Sequence, residues 1–129
     1  MPRDKVVYTI VFEGEDTGKP VITDFISFYS LPSQILKREN HNHTHMNIAY
    51  LYYYAHTENS LTEMMKYALH YAKEELEFDV FNCLNIMSNS TFVKELKFGV
   101  GDGTLNFYMY NYGLKEGFMQ PSKVATVLV

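Results

Sequence analysis

The sequence predicts an α+β fold in which a mixed β-sheet is flanked by helices. Runs of β-branched and aromatic residues, typical of strands, occur in both halves of the chain. An amphipathic helix with a capping sequence lies between them. A short apolar strand follows this helix at once, in the manner of an α/β unit. At 129 residues, the chain is long enough for one domain with a single core.

Three strands are predicted in the first half of the chain. Residues 5–12 are β-branched and aromatic and form the first strand. A polar turn rich in glycine and proline over residues 13–20 leads into residues 21–29, the second arm of a hairpin. Pro32 ends this arm because proline cannot donate to a β-ladder. Residues 46–55 are the third strand candidate.

A helix is predicted to begin after Ser60. Ser60 and Glu63 form a capping box, in which the serine hydroxyl accepts from the Glu63 amide and the glutamate reaches back. Apolar residues then recur at intervals of three and four and are expected to face a core: Leu61, Met64, Met65, Ala68, Leu69, Ala72 and Leu76. The opposite face is expected to meet water: Lys66, His70, Lys73 and Glu77.

The second half of the chain is predicted to alternate between strand and helix. Residues 78–84 form a short strand, and a second helix over residues 90–96 leads into a glycine-rich heptad at residues 97–103. The long run at residues 104–112 reads as a strand leaving this heptad. Residues 123–129 are β-forming up to the last position, which predicts a chain end tucked into the fold.

Composition excludes several classes of function. The formal net charge of −4 argues against nucleic acid as a partner. No apolar run approaches the roughly 20 residues that a transmembrane helix needs. The single cysteine, Cys83, cannot form an internal disulfide, and its apolar surroundings favour a small buried residue over a nucleophile. These features predict a cytoplasmic protein without a transmembrane segment.

Three alternate histidines, His41, His43 and His45, lie in a polar segment. They could present imidazoles on one side of an extended chain, as a zinc site requires. No cysteine or second cluster of ligands accompanies them, so a solvated loop is preferred and no metal is predicted.

The heptad at residues 97–103 has glycines at three alternate positions and one carboxylate, Asp102. Glycine admits positive φ and lets a ligand approach the backbone closely, so the heptad suits a ligand-facing turn. From the residues alone, an ordinary tight turn before a strand is the alternative. Neither a Gly-Lys-Ser/Thr ending nor a following helix is present, which excludes a familiar phosphate-binding loop.

The heptad reads Lys-Phe-Gly, any residue, Gly-Asp-Gly, and so it resembles the C-terminal signature of the N-myristoyltransferases. The resemblance extends, in family order, to residues 23–33, Ala49-Tyr50, residues 79–82 and residues 127–129. It implies that residues 1–129 are the C-terminal, peptide-substrate-binding part of the catalytic region, with the C-terminal half of a GNAT-like (acyl-CoA N-acyltransferase) fold. The N-terminal half, which carries the acyl-CoA site in complete members, is expected to be absent.

The activity that the resemblance implies is transfer of myristate from myristoyl-CoA to the N-terminal glycine of substrate proteins. Myristoyl-CoA is then the co-substrate of the full enzyme, and this chain binds no cofactor. The expected partners are N-terminal glycine peptides and the missing N-terminal half. Without that half the chain is expected to be inactive and to expose an apolar surface and an unpaired sheet edge, which predicts a homodimer or a strand-exchanged assembly.

The general base implied by the resemblance is the C-terminal carboxylate, carried here by Val129. An α-amino group with a pKa of about 7.7–8.0 must lose its proton before it can attack, and a carboxylate with a pKa of about 3.3–3.7 is a poor base for it. Burial raises a carboxylate pKa, and the apolar ending at residues 127–129 suits a dry site. An ordinary edge strand is the alternative.

The resemblance also assigns eight residues to the peptide groove. Asp102 would receive a basic residue of the substrate. Met46 stands where the family has leucine, after a two-residue expansion of the histidine segment. The other six line the groove or shape its wall: Tyr29, Ser33, Tyr50, Asn82, Gly103 and Leu105. From the residues alone, Tyr29 and Tyr50 would lie at the edge of the core and Asp102 would form a turn.

Two other functions fit the same residues. A non-catalytic module could bind an extended peptide along its tyrosine-lined sheet. An acetyltransferase of the same superfold could act on another amine, since a fold does not determine its substrate.

Overall fold

The structure is a computed structural model that describes residues 6–31, 33–34, 45–115 and 117–126. The chain divides into two compact units, Met1–Leu84 and Asn85–Val129, where its length predicts one domain. Each unit has its own buried aromatic residue, Phe28 in the first and Phe92 in the second.

The first unit opens with a hairpin of β1 (Val7–Asp16) and β2 (Lys19–Ser30). Thr17 and Gly18 make the turn, with φ of 49° and 76°. Positive φ at both central residues is the geometry of a type I′ turn, which matches the twist of paired strands. The expected eight-residue turn at residues 13–20 is therefore wrong, because most of these polar residues continue the ladder, as in the pair Asp16 and Lys19.

Two short strands, β3 (Ser33–Gln34) and β4 (His45–Met46), pair antiparallel as a separate small sheet. Ser33 is the register partner of Met46. The third predicted strand begins later than expected, since Met46 belongs to this small sheet. Pro32, which was expected to end β2, lies outside the described residues, as do His41 and His43.

The main sheet has the order β1-β2-β5-β6, with β5 at Ile48–Ala55 and β6 at Val80–Asn82. β5 runs antiparallel to β2 and parallel to β6, so the sheet is mixed, as predicted. The parallel pair needs a crossover, and the helix between β5 and β6 supplies it.

The helix α1 spans Leu61–Glu74 and begins where the capping box predicts. The Glu63 amide donates to Ser60 Oγ at 3.2 Å. The glutamate carboxylate accepts from the same hydroxyl at 3.1 Å. Five of the seven predicted core positions are buried: Leu61, Met64, Met65, Ala68 and Ala72. The helix packs on β2, where Ile26 and Phe28 are fully buried.

A carboxylate that the sequence did not single out ties β2 to the segment before α1. Asp24 is 1% exposed, and its oxygens accept from the backbone amides of Thr57 at 2.5 Å, Glu58 at 3.1 Å and Asn59 at 3.3 Å. The Thr23 hydroxyl and the Asn59 side-chain amide also donate to it, each at 2.7 Å. Asp24 therefore acts as a buried staple, meaning a single side chain that joins β2 to residues 57–59 by hydrogen bonds.

The second unit is built around short helices. α2 spans Ser90–Val93, shorter than the predicted 90–96, and its Phe92 packs edge-on against Phe98 at 5.6 Å. A 3₁₀ helix covers Pro121–Lys123. The Met87 amide donates to the Pro121 carbonyl at 3.1 Å, which links the two ends of the unit.

The predicted strand at residues 104–112 does not form. This segment makes no ladder with any described residue, although its sequence is strongly β-forming. The predicted final strand is also wrong where the structure describes it, because Lys123 lies in the 3₁₀ helix and residues 124–126 are not in a strand. A β-forming sequence becomes a strand only where a neighbour supplies hydrogen bonds.

Candidate functional site

Three of the predicted groove residues form one row across the main sheet. Tyr29 of β2 is the register partner of Tyr50 of β5, and Tyr50 is the register partner of Asn82 of β6. Side chains of directly paired residues lie on the same face of a sheet. The rings of Tyr29 and Tyr50 stack at 5.5 Å with an interplanar angle of 19°. We name Tyr29, Tyr50 and Asn82 the tyrosine row.

The tyrosine row lies on the face opposite to the aromatic core. Successive residues of a strand point to opposite faces, so Tyr29 and Phe28 are separated by the sheet. Phe28 is fully buried and contacts the rings of Tyr8, Phe78 and Phe81. The sheet thus separates a packed layer from a layer of polar rings.

A third ring, Tyr52, joins this face and was not predicted from the sequence. It meets Tyr29 edge-on, with ring centroids 5.8 Å apart and an interplanar angle of 77°. Burial first, and then the Tyr50 and Tyr52 phenols, raise the pKa of Tyr29 above its ordinary value. The signal in the sequence was the run of tyrosines at residues 52–54.

Ser33 and Met46 lie near one end of the tyrosine row. They are paired in the small sheet. The Leu31 amide donates to the Ile48 carbonyl at 2.9 Å, which joins the residue after β2 to the first residue of β5. Met46 is half-buried. Five of the predicted groove residues thus belong to the first unit and to neighbouring strands.

The other three, Asp102, Gly103 and Leu105, belong to the second unit and are exposed. None of the three heptad glycines uses the positive φ that glycine permits, and in this segment the positive φ is at Lys97, at 57°. A Cβ built at Gly103 would meet nothing within 4 Å. In this structure the heptad is an open segment, and its glycines relieve no steric conflict.

Over residues 1–128 the chain matches the family described as "Myristoyl-CoA:protein N-myristoyltransferase, C-terminal domain". The chain belongs to this N-myristoyltransferase family. It is 45% identical to "Glycylpeptide N-tetradecanoyltransferase 1" of Arabidopsis thaliana over 129 residues, which are all of this chain and 28% of that protein. It is 42% identical to "Glycylpeptide N-tetradecanoyltransferase 2" of Danio rerio, over 99% of this chain and 24% of that protein.

Comparison with solved structures gives the same family. A Saccharomyces cerevisiae N-myristoyltransferase structure with bound myristoyl-CoA matches 93% of this chain and 30% of its own, with 37% identity and a TM-score of 0.64. Its GNAT-like fold confirms the predicted fold class. The BH1408 protein of Bacillus halodurans shares the fold alone, at 12% identity over 83% of this chain and 69% of its own, with a TM-score of 0.58.

The chain spans about a quarter of the length of the curated N-myristoyltransferases that it matches. The family match and the similarity to the curated relatives confirm, over the whole chain, the resemblance that the glycine heptad indicates. The role of each groove residue stays a prediction. Val129, the predicted base, lies outside the described residues.

Other features of this N-myristoyltransferase domain lie away from the tyrosine row. A cavity of about 530 Å³ is lined by β1 and α1, including Tyr67 and Tyr71, and contains none of the predicted groove residues. Burial raises the pKa of the Cys83 thiol to about 11, which disfavours the thiolate that a nucleophile needs.

Residues 6–31, 33–34, 45–115 and 117–126 contain neither a metal site nor a membrane-spanning helix. No group of three histidine, cysteine, aspartate or glutamate side chains there could hold a metal ion. None of the helices described is long and apolar enough to cross a membrane.

Proposed function

We propose that this chain is the peptide-binding part of an enzyme that transfers myristate from myristoyl-CoA to the N-terminal glycine of substrate proteins. The observation that carries the proposal is the tyrosine row in a chain of this family. Three predicted groove residues from distant parts of the sequence share one row and one face of the sheet.

The peptide is proposed to lie along this face. The stacked rings of Tyr29 and Tyr50 offer an apolar wall, and the Asn82 amide offers a donor and an acceptor to the peptide backbone. Ser33 and Met46 extend the groove beyond the row. Asp102 is proposed to accept a basic substrate residue, beside a wall formed by Gly103 and Leu105.

The reaction needs a free amine. We propose that the Val129 carboxylate takes the proton from the glycine ammonium, and that the amine nitrogen then attacks the thioester carbonyl carbon. The new C–N bond forms, the C–S bond breaks, and coenzyme A leaves as its thiol after taking the second proton. Because the base is weaker than the amine by about four pKa units, its site must be dry.

The acyl-CoA site is proposed to come from an N-terminal half, so that residues 1–129 alone have no transferase activity. The proposal is supported by the quarter-length match to the curated relatives and by the bound myristoyl-CoA named for the yeast structure. We place the enzyme in the cytoplasm, which its single cysteine supports.

We propose that the isolated chain associates with a second copy. Apolar side chains in the second unit are strongly exposed: Val100, Leu105, Phe107, Tyr108, Met109, Tyr110, Tyr112 and Phe118 are each at least 50% exposed. In addition, β1 has no neighbour on its outer side among the strands described. Exposed apolar patches and open sheet edges are surfaces that proteins usually cover.

The experiment for the proposed function separates binding from transfer. The chain is titrated with a peptide that begins with glycine and carries a lysine further in, and with the same peptide acetylated at its N-terminus. We expect binding of the free peptide, weaker binding of the acetylated one, and no coenzyme A release from myristoyl-CoA by the chain alone. Turnover by the isolated chain, or no preference for the free amine, would contradict the proposal.

A further inference from the structure

The strand β5 carries one residue more than its partner β2 in the stretch beside the tyrosine row. Ile26 pairs with Tyr54 and Phe28 pairs with Leu51. One residue of β2, Ser27, therefore lies opposite two residues of β5, Tyr52 and Tyr53. This is a β-bulge, a feature that turns side chains away from the regular alternation of a strand.

A single side chain holds this bulge in place. The Ser27 hydroxyl donates to the Tyr53 carbonyl at 2.7 Å, and its oxygen accepts from the Tyr53 amide at 3.2 Å. The extra residue would otherwise lack ladder partners for both backbone groups. Ser27 is only 4% exposed, so water cannot readily replace these two bonds.

The bulge brings two successive rings together. In a regular strand Tyr52 and Tyr53 would point to opposite faces. Here their ring centroids are 4.6 Å apart with an interplanar angle of 40°. Tyr52 also meets Tyr29 edge-on. Tyr29 is therefore held between two rings, stacked on Tyr50 and capped by Tyr52.

We propose that Tyr52 is a further positioning residue of the peptide groove, which fixes the ring of Tyr29, and that Ser27 supports Tyr52 by holding Tyr53 against it through the bulge. The proposal rests on the proposed function, since it assigns a wall of the same groove. Tyr29 forms that wall, and Tyr52 acts on the peptide through Tyr29. A ring held in one orientation loses less conformational entropy on binding than a mobile one.

The test uses the complete 129-residue chain and an N-terminal glycine peptide, with affinity measured by isothermal titration calorimetry. Tyr52→Ala is expected to weaken peptide binding about three- to tenfold, because one edge-on aromatic contact of Tyr29 is lost. Tyr52→Phe keeps the ring and is expected to restore the affinity. The matched control is Tyr67→Ala, which removes a 61%-exposed tyrosine on α1, where no groove residue lies.

Ser27 is tested by the same pair of changes, removal and rescue. Ser27→Ala is expected to weaken peptide binding as Tyr52→Ala does, whereas Ser27→Thr keeps the hydroxyl and is expected to retain the affinity. NMR of the Tyr29 ring supplies a readout that a loss of stability alone does not move. Its ring signals should shift in the unbound Ser27→Ala and Tyr52→Ala chains and stay in place in the Tyr67→Ala chain.

The outcomes distinguish this inference from the proposed function. If Tyr29→Ala weakens binding but Tyr52→Ala does not, the groove stands and the role of Tyr52 is overturned. Unchanged Tyr29 ring signals in Ser27→Ala overturn the role of the bulge. If the unaltered chain binds no glycine peptide, the proposed function fails, and this inference fails with it.

Discussion

The two units differ in how far their β-forming sequences become strands. In the first unit every strand of the main sheet has a partner in a defined register, and apolar residues such as Phe28 are buried between sheet and helix. In the second unit the segment at residues 104–112 is at least as rich in aromatic residues, yet it pairs with nothing described and is exposed. A segment of β-forming residues therefore becomes a strand only where a neighbouring strand is available to pair with it.

The largest effect on activity is expected from lengthening the chain beyond Val129, at the end of the second unit. Adding a few residues after Val129 in the complete transferase should lower its rate of transfer by about 10²–10⁴-fold, because the proposed general base, the terminal carboxylate, would be moved away. Val129→Leu is the control and should keep the rate, since the proposed base is the terminal carboxylate and not the side chain. An extended enzyme with an unchanged rate would exclude the C-terminal carboxylate as the base.

The staple at Asp24 is expected to be the most sensitive point of the first unit. Asp24→Ala leaves the amides of Thr57, Glu58 and Asn59 without their acceptor, so it should lower the free energy of unfolding more than any single surface change. Asp79→Ala is the matched control. It removes one exposed bond, from the Asn47 amide at 2.9 Å, and should cost about 1 kcal/mol or less.

Urea denaturation of both variants measures the difference. Equal losses of stability in the two variants would show that the buried hydrogen bonds of Asp24 contribute no more than the one exposed bond of Asp79.

The Asp24 carboxylate is also expected to make the stability of the first unit depend on pH in the acid range. Burial raises the pKa of Asp24, but the hydrogen bonds from Thr23, Thr57, Asn59 and Glu58 outweigh burial and hold it well below its usual value. Because the pKa of Asp24 is lower in the folded chain than in the unfolded chain, its carboxylate stabilises the fold at any pH above the unfolded pKa of about 3.9. This stabilisation is lost as the pH falls below that unfolded pKa. Asp24→Asn should flatten the pH dependence of stability between about pH 5 and 2. An unchanged acid profile in that variant would contradict the assignment.

A smaller effect is expected from the exposed segment of the second unit. Tyr108 and Tyr110 are 88% and 97% exposed, and replacing both with lysine places charges on an open apolar stretch. The dimer dissociation constant should rise about tenfold or more by sedimentation equilibrium, while the stability of the first unit stays the same. A monomer at high concentration for the unaltered chain would rule out the proposed dimer.

Prediction from the sequence succeeded where a local pattern was sufficient. Ser60 marked the start of α1, and the spacing of apolar residues identified most of its buried stripe. The short turn at Thr17 and Gly18 was missed because the polar residues around it resemble a loop although they pair as strands. Asp24 was missed because its partners lie more than 30 residues away, at residues 57–59.

In the site, as in the fold, the sequence identified individual residues but not the contacts that depend on neighbouring strands. The resemblance identified Tyr29, Tyr50 and Asn82, and the register of three strands brings them into one row. Tyr52 was not among the predicted groove residues, although alternation along β5 places it on the same face as Tyr50. The position of Tyr53 beside it could not be predicted, because it depends on a bulge that Ser27 stabilises from the neighbouring strand. The roles of Asp102, Gly103 and Leu105 remain predictions, since these residues belong to the other unit.

The most direct test of the central claim is an NMR titration of the 129-residue chain with an N-terminal glycine peptide. If the tyrosine row is the groove, the largest shifts in backbone amide signals will occur at Tyr29, Tyr50, Asn82 and their immediate neighbours, and Tyr50→Ala will remove them. Shifts confined to the cavity between β1 and α1, or none at saturating peptide, would contradict the account.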